Sequence, residues 1–303
     1  MKEFFKVKAL QEVLEYASLF SRVESETVSL KESPGRVLAA DMIPYEDLPN
    51  FCRSTMDGYA VCAASTYGAS EANPAYLTIR GSVVMGEKPD FSVGRGEAAR
   101  ISTGGMLPDG SDSVLMIEHT ETIDDTTIEA YRSVAPGRHV IQKGEDIRKG
   151  EAILLRGRKL KAAETGLLAA FGKTTVDVYR KPIIGILSTG DEISPVESVP
   201  DPGKIRDINT YTLFAKILDT GGVPLSFGII RDDFDALYQA CKSALEQTDM
   251  VLLSGGSSVG VRDFTIEALS ALPESEILVH GISISPGKPT ILARAGVKAI
   301  WGL

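Results

Sequence analysis

MVLLSGGSSVGVRDFTIEALSAL, residues 250–272, decides how the second half of this chain reads. An apolar run, Val251 to Leu253, breaks into Ser254-Gly255-Gly256-Ser257-Ser258-Val259-Gly260, and Asp263 and the helix-like TIEALSAL (265–272) follow. A buried strand, a glycine-rich loop and a helix in that order form the repeating unit of a parallel sheet with crossover helices. The same alternation extends outward on both sides. IIGILS (183–188), PLSFGII (224–230) and ILVHGISI (277–284) read as strands, and NTYTLFAKILDTGG (209–222) and FDALYQACKSALEQT (234–248) as helices. Right-handed crossovers then give a three-layer α/β domain with a mostly parallel sheet from about residue 180.

Ligands of open α/β sheets bind beyond the carboxyl ends of the strands. Ser254-Gly255-Gly256-Ser257 occupies such an end, where glycines let backbone N–H groups approach an anion and a following helix adds partial positive charge. A plain crossover turn is the competing reading. The stretch has neither the lysine of a P-loop nor the GxGxxG of a dinucleotide site. Acids stand at neighbouring strand ends: Asp191 and Glu192 after the first strand, Asp232 and Asp233 after the second, and Asp263 beyond the third. If the sheet orders these strands side by side, the acids converge on one crevice. Carboxylates beside a phosphate-binding loop suggest Mg²⁺ held by Asp232 and Asp263; simple helix capping is the alternative. Ser285-Pro286-Gly287-Lys288-Pro289 presents Lys288 on a stiff loop, suited to an oxyanion or merely solvated.

The first half has a different texture. Val7, Leu10, Val13, Leu14 and Leu19 recur at helical spacing, and LKAAETGLLAAFG (160–172) is a second helix signal closed by Gly172. Between them lie short β-branched runs punctuated by Gly, Pro and Asp-Asp turns. The expected organisation is a β-rich module, 51–146, inserted into a helical and extended support made of 1–50 and 147–179, with the α/β domain at 180–303.

Composition narrows the function. The 303 residues carry a net charge of −9, which argues against sequence-independent nucleic-acid binding but leaves room for a local basic pocket. Three scattered cysteines without a CxxC and three histidines without an HExxH give no disulfide frame and no zinc or histidine metal centre. No charged-then-apolar leader is read at the start, and no apolar run approaches the roughly 20 residues that span a bilayer. A soluble cytoplasmic protein, with neither nucleic acid nor membrane as partner, is the expectation.

Three loops of the β module are denser in polar and glycine residues than hairpins require: RSTMDGYA (53–60), RISTGGMLP (100–108) and KGEDI (143–147). Together with LSTGDEI, IRDIN, IIRDDF, LLSGGSSVGVRD and PGKP, in this order, they resemble the molybdopterin molybdenumtransferase family (MoeA and the E domain of gephyrin). The resemblance covers essentially the whole chain, and it is the ordered set that is specific, since each motif alone is weak.

The resemblance implies a reaction in which adenylylated molybdopterin (molybdopterin-AMP) is cleaved, AMP leaves, and molybdate or tungstate is ligated to the pterin dithiolene with Mg²⁺ assisting. It implies a homodimer whose active site is shared between the α/β domain of one subunit and the β module of the other. Carried over, Asp57, Thr103, Asp146, Glu192, Asp232 and Asp263 fall on active-site positions. Ser254, Gly255, Gly256 and Ser257 line the pterin-phosphate crevice, and Lys288 lies at the molybdate site. Two departures stand out. Ser285 and Gly281 occupy positions that are usually basic in the family, which favours a non-catalytic molybdopterin-binding or scaffold paralogue as the alternative. The sequence stops at Leu303, where the family continues into a further loop, a closing helix and a C-terminal β domain, so a truncated chain is expected.

Overall fold

The computed structural model describes residues 7–255 and 262–303, the side chains of residues 262 and 263 excepted. It divides into two compact units, one made of residues 1–40 and 157–303 and the other of Asp41–Arg156. The first unit opens with helix α1 (Leu10–Glu15), a 3₁₀ turn at Tyr16–Leu19, and strands β1 (Ser25–Ser29) and β2 (Val37–Leu38). The expected apolar face of this helix is corrected by the structure: Leu10, Leu14 and Leu19 are exposed. Val13 with Tyr16 and Phe20 faces the core instead, packed on Val279, Ile282, Leu292 and Ala299. The physical reason is geometric. A helix of fewer than two turns, continued by 3₁₀ winding, cannot keep Leu19 in line with Leu10, whereas positions three and seven apart from Val13 stay on one side.

The second unit holds β3 (Arg53–Ser54), β4 (Gly58–Val61), β5 (Ala75–Ser82), β6 (Glu97–Ile101), β7 (Ser113–Met116), β8 (Thr120–Asp124), β9 (Thr127–Ala130) and β10 (Val140–Ile141). Six of them form one sheet in the order β7-β4-β6-β5-β9-β8, antiparallel except where β5 meets β6. Side chains alternate across it, and both faces are apolar. Tyr59, Val61, Ala98 and Leu115 pack on one side, and Ala60, Ala99, Ile101 and Val114 on the other. The ends of the unit meet: Met42 pairs with Leu154, and Arg156 N donates to Asp41 Oδ1 at 2.7 Å.

The chain then completes the first unit. Helix α2 (Ala162–Ala170) and β11 (Thr175–Tyr179) come first, and β11 pairs with β1 and β2. The gap left by the other unit is closed by Leu38 N to Arg158 O, 2.9 Å, and Gly157 N to Leu38 O, 2.8 Å. Next come β12 (Ile183–Thr189), the short β13 (Ile193–Ser194) and β14 (Ile205–Arg206), α3 (Asn209–Thr220), β15 (Val223–Ile230), α4 (Phe234–Gln247), β16 (Met250–Ser254), α5 (Arg262–Ala271), β17 (Ser275–His280), β18 (Ile291–Ala295) and β19 (Lys298–Gly302). The large sheet runs β15-β12-β16-β19-β18-β17. Only β18 runs against the other five. Alternation along the strands builds the three layers. Ile184, Ile186 and Leu252 meet α3 on one face, while Leu187, Val251 and Leu253 meet α4 and α5 on the other. Among the described residues no helix is long and apolar enough to cross a membrane.

One ion pair fixes the start of this sheet. The Arg180 fork makes two 2.6 Å bonds to Asp249, Asp249 Oδ2 also accepts from Ile183 N at 2.8 Å, and Arg180 Nε reaches Glu24 at 2.7 Å. The guanidinium holds the Asp249 carboxyl below its ordinary range. A depressed carboxyl contributes stability above the unfolded value of about 3.9 and loses it as pH falls through the lower folded value. Asp249→Ala is expected to lower unfolding free energy at neutral pH by about 1–2 kcal/mol, after allowance for solvent screening. Denaturant titrations should show the difference between variant and wild type narrowing below about pH 3.9. A constant difference down to pH 2 would assign the loss to packing.

Candidate functional site

In the Asp41–Arg156 unit the three polar loops are laced to a single segment, residues 47–57. Ser54 pairs with Val140 and Arg53 with Ile141 on one side. On the other side Ser54 N donates to Gly105 O at 2.9 Å, Gly104 N to Ser54 O at 2.8 Å, and Leu107 N to Cys52 O at 3.0 Å. Gly144 N reaches Pro49 O at 2.9 Å and Asp146 N reaches Leu48 O at 3.1 Å, which seats the KGEDI loop on the same segment. Asp57 and Thr103 are in direct contact: Asp57 Oδ1 accepts from Thr103 N at 2.8 Å. Asp146 is exposed on the loop across the segment. The glycine of MDGYA is dictated by close approach, since a Cβ on Gly58 would lie 2.0 Å from Leu115 O. Sequence reading passed over Arg53. Its Nε is buried, and it has no hydrogen-bond partner.

In the other unit, β15, β12 and β16 are neighbours, so their carboxyl ends stand side by side. Asp232 follows β15 and Asp191 and Glu192 follow β12. Asp191 N donates to Asp232 Oδ2 at 3.3 Å. Burial first, and then the charges of Asp191 and Glu192, raise the Asp232 carboxyl above its ordinary range. The adjacent acids divide their work, because Asp233 caps α4 by accepting from Ala236 N at 2.9 Å while Asp232 stays at the strand end. Asp207 of IRDIN is tied to the first turn of α3, bonded to Thr210 N at 3.0 Å and Thr210 Oγ1 at 2.7 Å.

Ser254 ends β16, is buried, and pairs in register with Ser188. Gly255 follows with φ +103°, and a Cβ there would lie 2.0 Å from Thr189 O. Beneath it Thr189 is buried, and its Oγ1 has no hydrogen-bond partner among the described residues. Gly256, Ser257 and the Asp263 side chain lie outside the described residues; α5 begins at Arg262. Lys288 is exposed on the loop after β17, where Ile282 N bonds its carbonyl at 2.9 Å and Thr290 Oγ1 bonds Gly287 O at 2.7 Å. Lys288 lies on the connection between β17 and β18, the two strands at the opposite edge of the sheet from β15 and β12. Among the described residues no three His, Cys, Asp or Glu stand close enough to hold a metal ion.

Residues 7–172 match the family model of the MoeA N-terminal region, domains I and II. The chain belongs to the MoeA family. Residues 185–303 match a second model, described as a probable molybdopterin binding domain. Over 283 residues the chain is 35% identical to a molybdopterin molybdenumtransferase of Bacillus subtilis, covering 92% of this chain and 66% of the relative. A protein of the same name from Nostoc is 34% identical over 275 residues, covering 91% of this chain and 63% of the relative. The chain thus spans about two thirds of the length of the curated relatives it matches. A solved MoeA molybdopterin biosynthesis protein from Pyrococcus horikoshii superimposes with a TM-score of 0.80 at 31% identity, covering 98% of this chain and 74% of that one. The MoeA-family fold therefore accounts for both units, the β-rich one and the α/β one.

Proposed function

We propose that this chain acts in molybdenum cofactor biosynthesis as a molybdopterin molybdenumtransferase, inserting molybdate or tungstate into adenylylated molybdopterin with release of AMP. The observation that carries the reading is the strand-end arrangement: Asp191, Glu192 and Asp232 beside Ser254 and Gly255, in a chain of the MoeA family. In this reading the loop from Ser254 through Ser257 takes the pterin phosphate and nucleotide with backbone donors, and Lys288 meets the oxyanion. Asp57, Thr103 and Asp146 form the second set of polar contacts. A carboxylate-only donor set suits a hard cation. Asp191 N lies 3.3 Å from Asp232 Oδ2, and positive charge beside this carboxyl, raised by burial and then by the charges of Asp191 and Glu192, would offset both. Asp232 and Asp263 would hold Mg²⁺, with Glu192 near. Bound there, the ion would supply neutralisation of phosphate charge as AMP departs. Ser285 and Gly281, where the family is usually basic, favour a second reading as a non-catalytic molybdopterin-binding or scaffold paralogue. Molybdate-dependent AMP release from adenylylated molybdopterin separates the two.

The proposed working unit is a cytoplasmic homodimer in which each active site draws Asp57 from one subunit and Asp263 from the other. Mixing Asp57→Ala chains with Asp263→Ala chains, each inactive alone, is expected to restore about a quarter of wild-type AMP release per chain once subunits exchange, because half the dimers are mixed and each carries one intact site. Mixed dimers that form, as shown by differential tagging, and stay inactive would refute the shared site.

A further inference from the structure

Arg53 stands in the middle of the loop cluster of the Asp41–Arg156 unit, and its charge is unspent. Successive side chains on β3 point to opposite sides. Ser54 turns inward, 2% exposed, and bonds the Met56 backbone. Arg53 therefore points the other way, and it is only partly accessible. Among the described residues its side chain makes no ion pair or hydrogen bond, and its Nε is shut off from solvent without an acceptor. Four other arginines are committed: Arg36 to Glu26 and Tyr179 O, Arg158 to Glu164, Arg180 to Asp249 and Glu24, and Arg100 to the Tyr59 ring. A buried donor left unpaired costs the free protein stability. An arrangement of that kind makes sense where a ligand brings the missing acceptors.

The strand pairing fixes where Arg53 stands. Met106 and Ile141 flank Arg53 on the two sides of the strand. Next along the ladder, Thr55 N bonds His139 O at 3.0 Å. His139 is held below the ordinary imidazole range by burial and then by the charges of Arg138 and His119. We propose that Arg53 binds a tetrahedral oxyanion of the ligand, a phosphoryl group or molybdate, through its planar fork of donors. A guanidinium matches two oxygens of such an anion at once and remains charged at every working pH. The inference rests on the reading of this site as one for a pterin nucleotide and an oxyanion.

The test is calorimetric titration of molybdate, inorganic phosphate and AMP into the full chain and into Arg53→Leu and Arg53→Lys, with a thermal melt of each. Arg53→Leu is expected to weaken one or more of these ligands by about tenfold or more. Its melting temperature should hold or rise, because an unpaired buried donor has been removed. Arg53→Lys keeps the charge but loses the fork, so it should fall between. A loss confined to phosphate and AMP identifies a phosphoryl group, and a loss confined to molybdate identifies the metal oxyanion. Affinities of Arg53→Leu within about twofold of wild type would overturn the inference. So would no oxyanion binding by wild type, or a fall in melting temperature that tracks the lost affinity. If Arg53→Leu fails to fold, a normally melting Arg53→Lys decides by its weaker or unchanged binding. A wild type that binds oxyanions through Arg53 yet releases no AMP would leave Arg53 in place and remove the transferase reading.

Discussion

Asp232→Asn is expected to cut molybdate-dependent AMP release about 100-fold or more, the scale seen when one charge-stabilising group is removed from a preorganised site. Its melting temperature at neutral pH should stay the same or rise. Burial and the charges of Asp191 and Glu192 raise the Asp232 carboxyl in the folded chain. A raised acid favours the folded state while protonated, and that contribution is lost as pH rises from the unfolded value of about 3.9 through the higher folded one. At neutral pH the wild type therefore carries a penalty, from burial first and then from like charge, that asparagine lacks. Asparagine retains an acceptor for Asp191 N, so the loop bond can persist. The stability gap between variant and wild type should open across that acidic window in a pH series of thermal melts. A variant that loses stability and activity together would make Asp232 a loop anchor rather than a functional acid.

Gly255→Ala should be the more damaging change to the structure. The added Cβ would lie 2.0 Å from Thr189 O, a backbone atom of the neighbouring strand end, at a φ of +103° that L side chains rarely adopt. Neither problem can be relieved by turning a side chain. A loss of about 2 kcal/mol or more is expected from the strain and the forced backbone shift. Because the shift falls on the residue that joins β16 to the loop beyond it, AMP affinity should drop by about tenfold or more under the proposed function. Chemical denaturation with AMP titration checks both. A variant with wild-type stability would show that Thr189 and Gly255 separate at little cost. Ser254→Ala, which leaves this approach intact, is the matched control for stability.

The α/β pattern was legible because each strand of the large sheet is short, apolar and bounded by glycine, proline or acids, and each helix between them has its own period. The carboxyl-end placement of Glu192, Asp232 and Ser254 followed from that alternation alone. Other features depend on pairing partners far along the chain. Nothing local in Ile291–Ala295 says that β18 runs against its neighbours, nor that β19 lies between β16 and β18. The buried face of α1 was misread because Leu10 and Leu14 are as apolar as Val13, and only the packing of Val13 on Val279 and Leu292 chooses among them. Arg53 lies within the RSTMDGYA stretch, where nothing in the local sequence marks it. An unpaired buried donor is a property of three-dimensional neighbours, and no spacing rule reveals it.

The pairing of Leu38 with Arg158 and of Met42 with Leu154 has an evolutionary consequence. To the unit that hosts it, everything from Asp41 to Arg156 is one closed loop between β2 and β11 whose two ends are already clasped. The entropy of closing such a loop grows only with the logarithm of its length, about 0.6 kcal/mol for each doubling. Substantial lengthening or trimming of the inserted unit would therefore change the closure term of its host by little. Insertions in the loops of the inserted unit are then tolerated by the fold of its host, with the clasp itself as the stretch where such changes are least free.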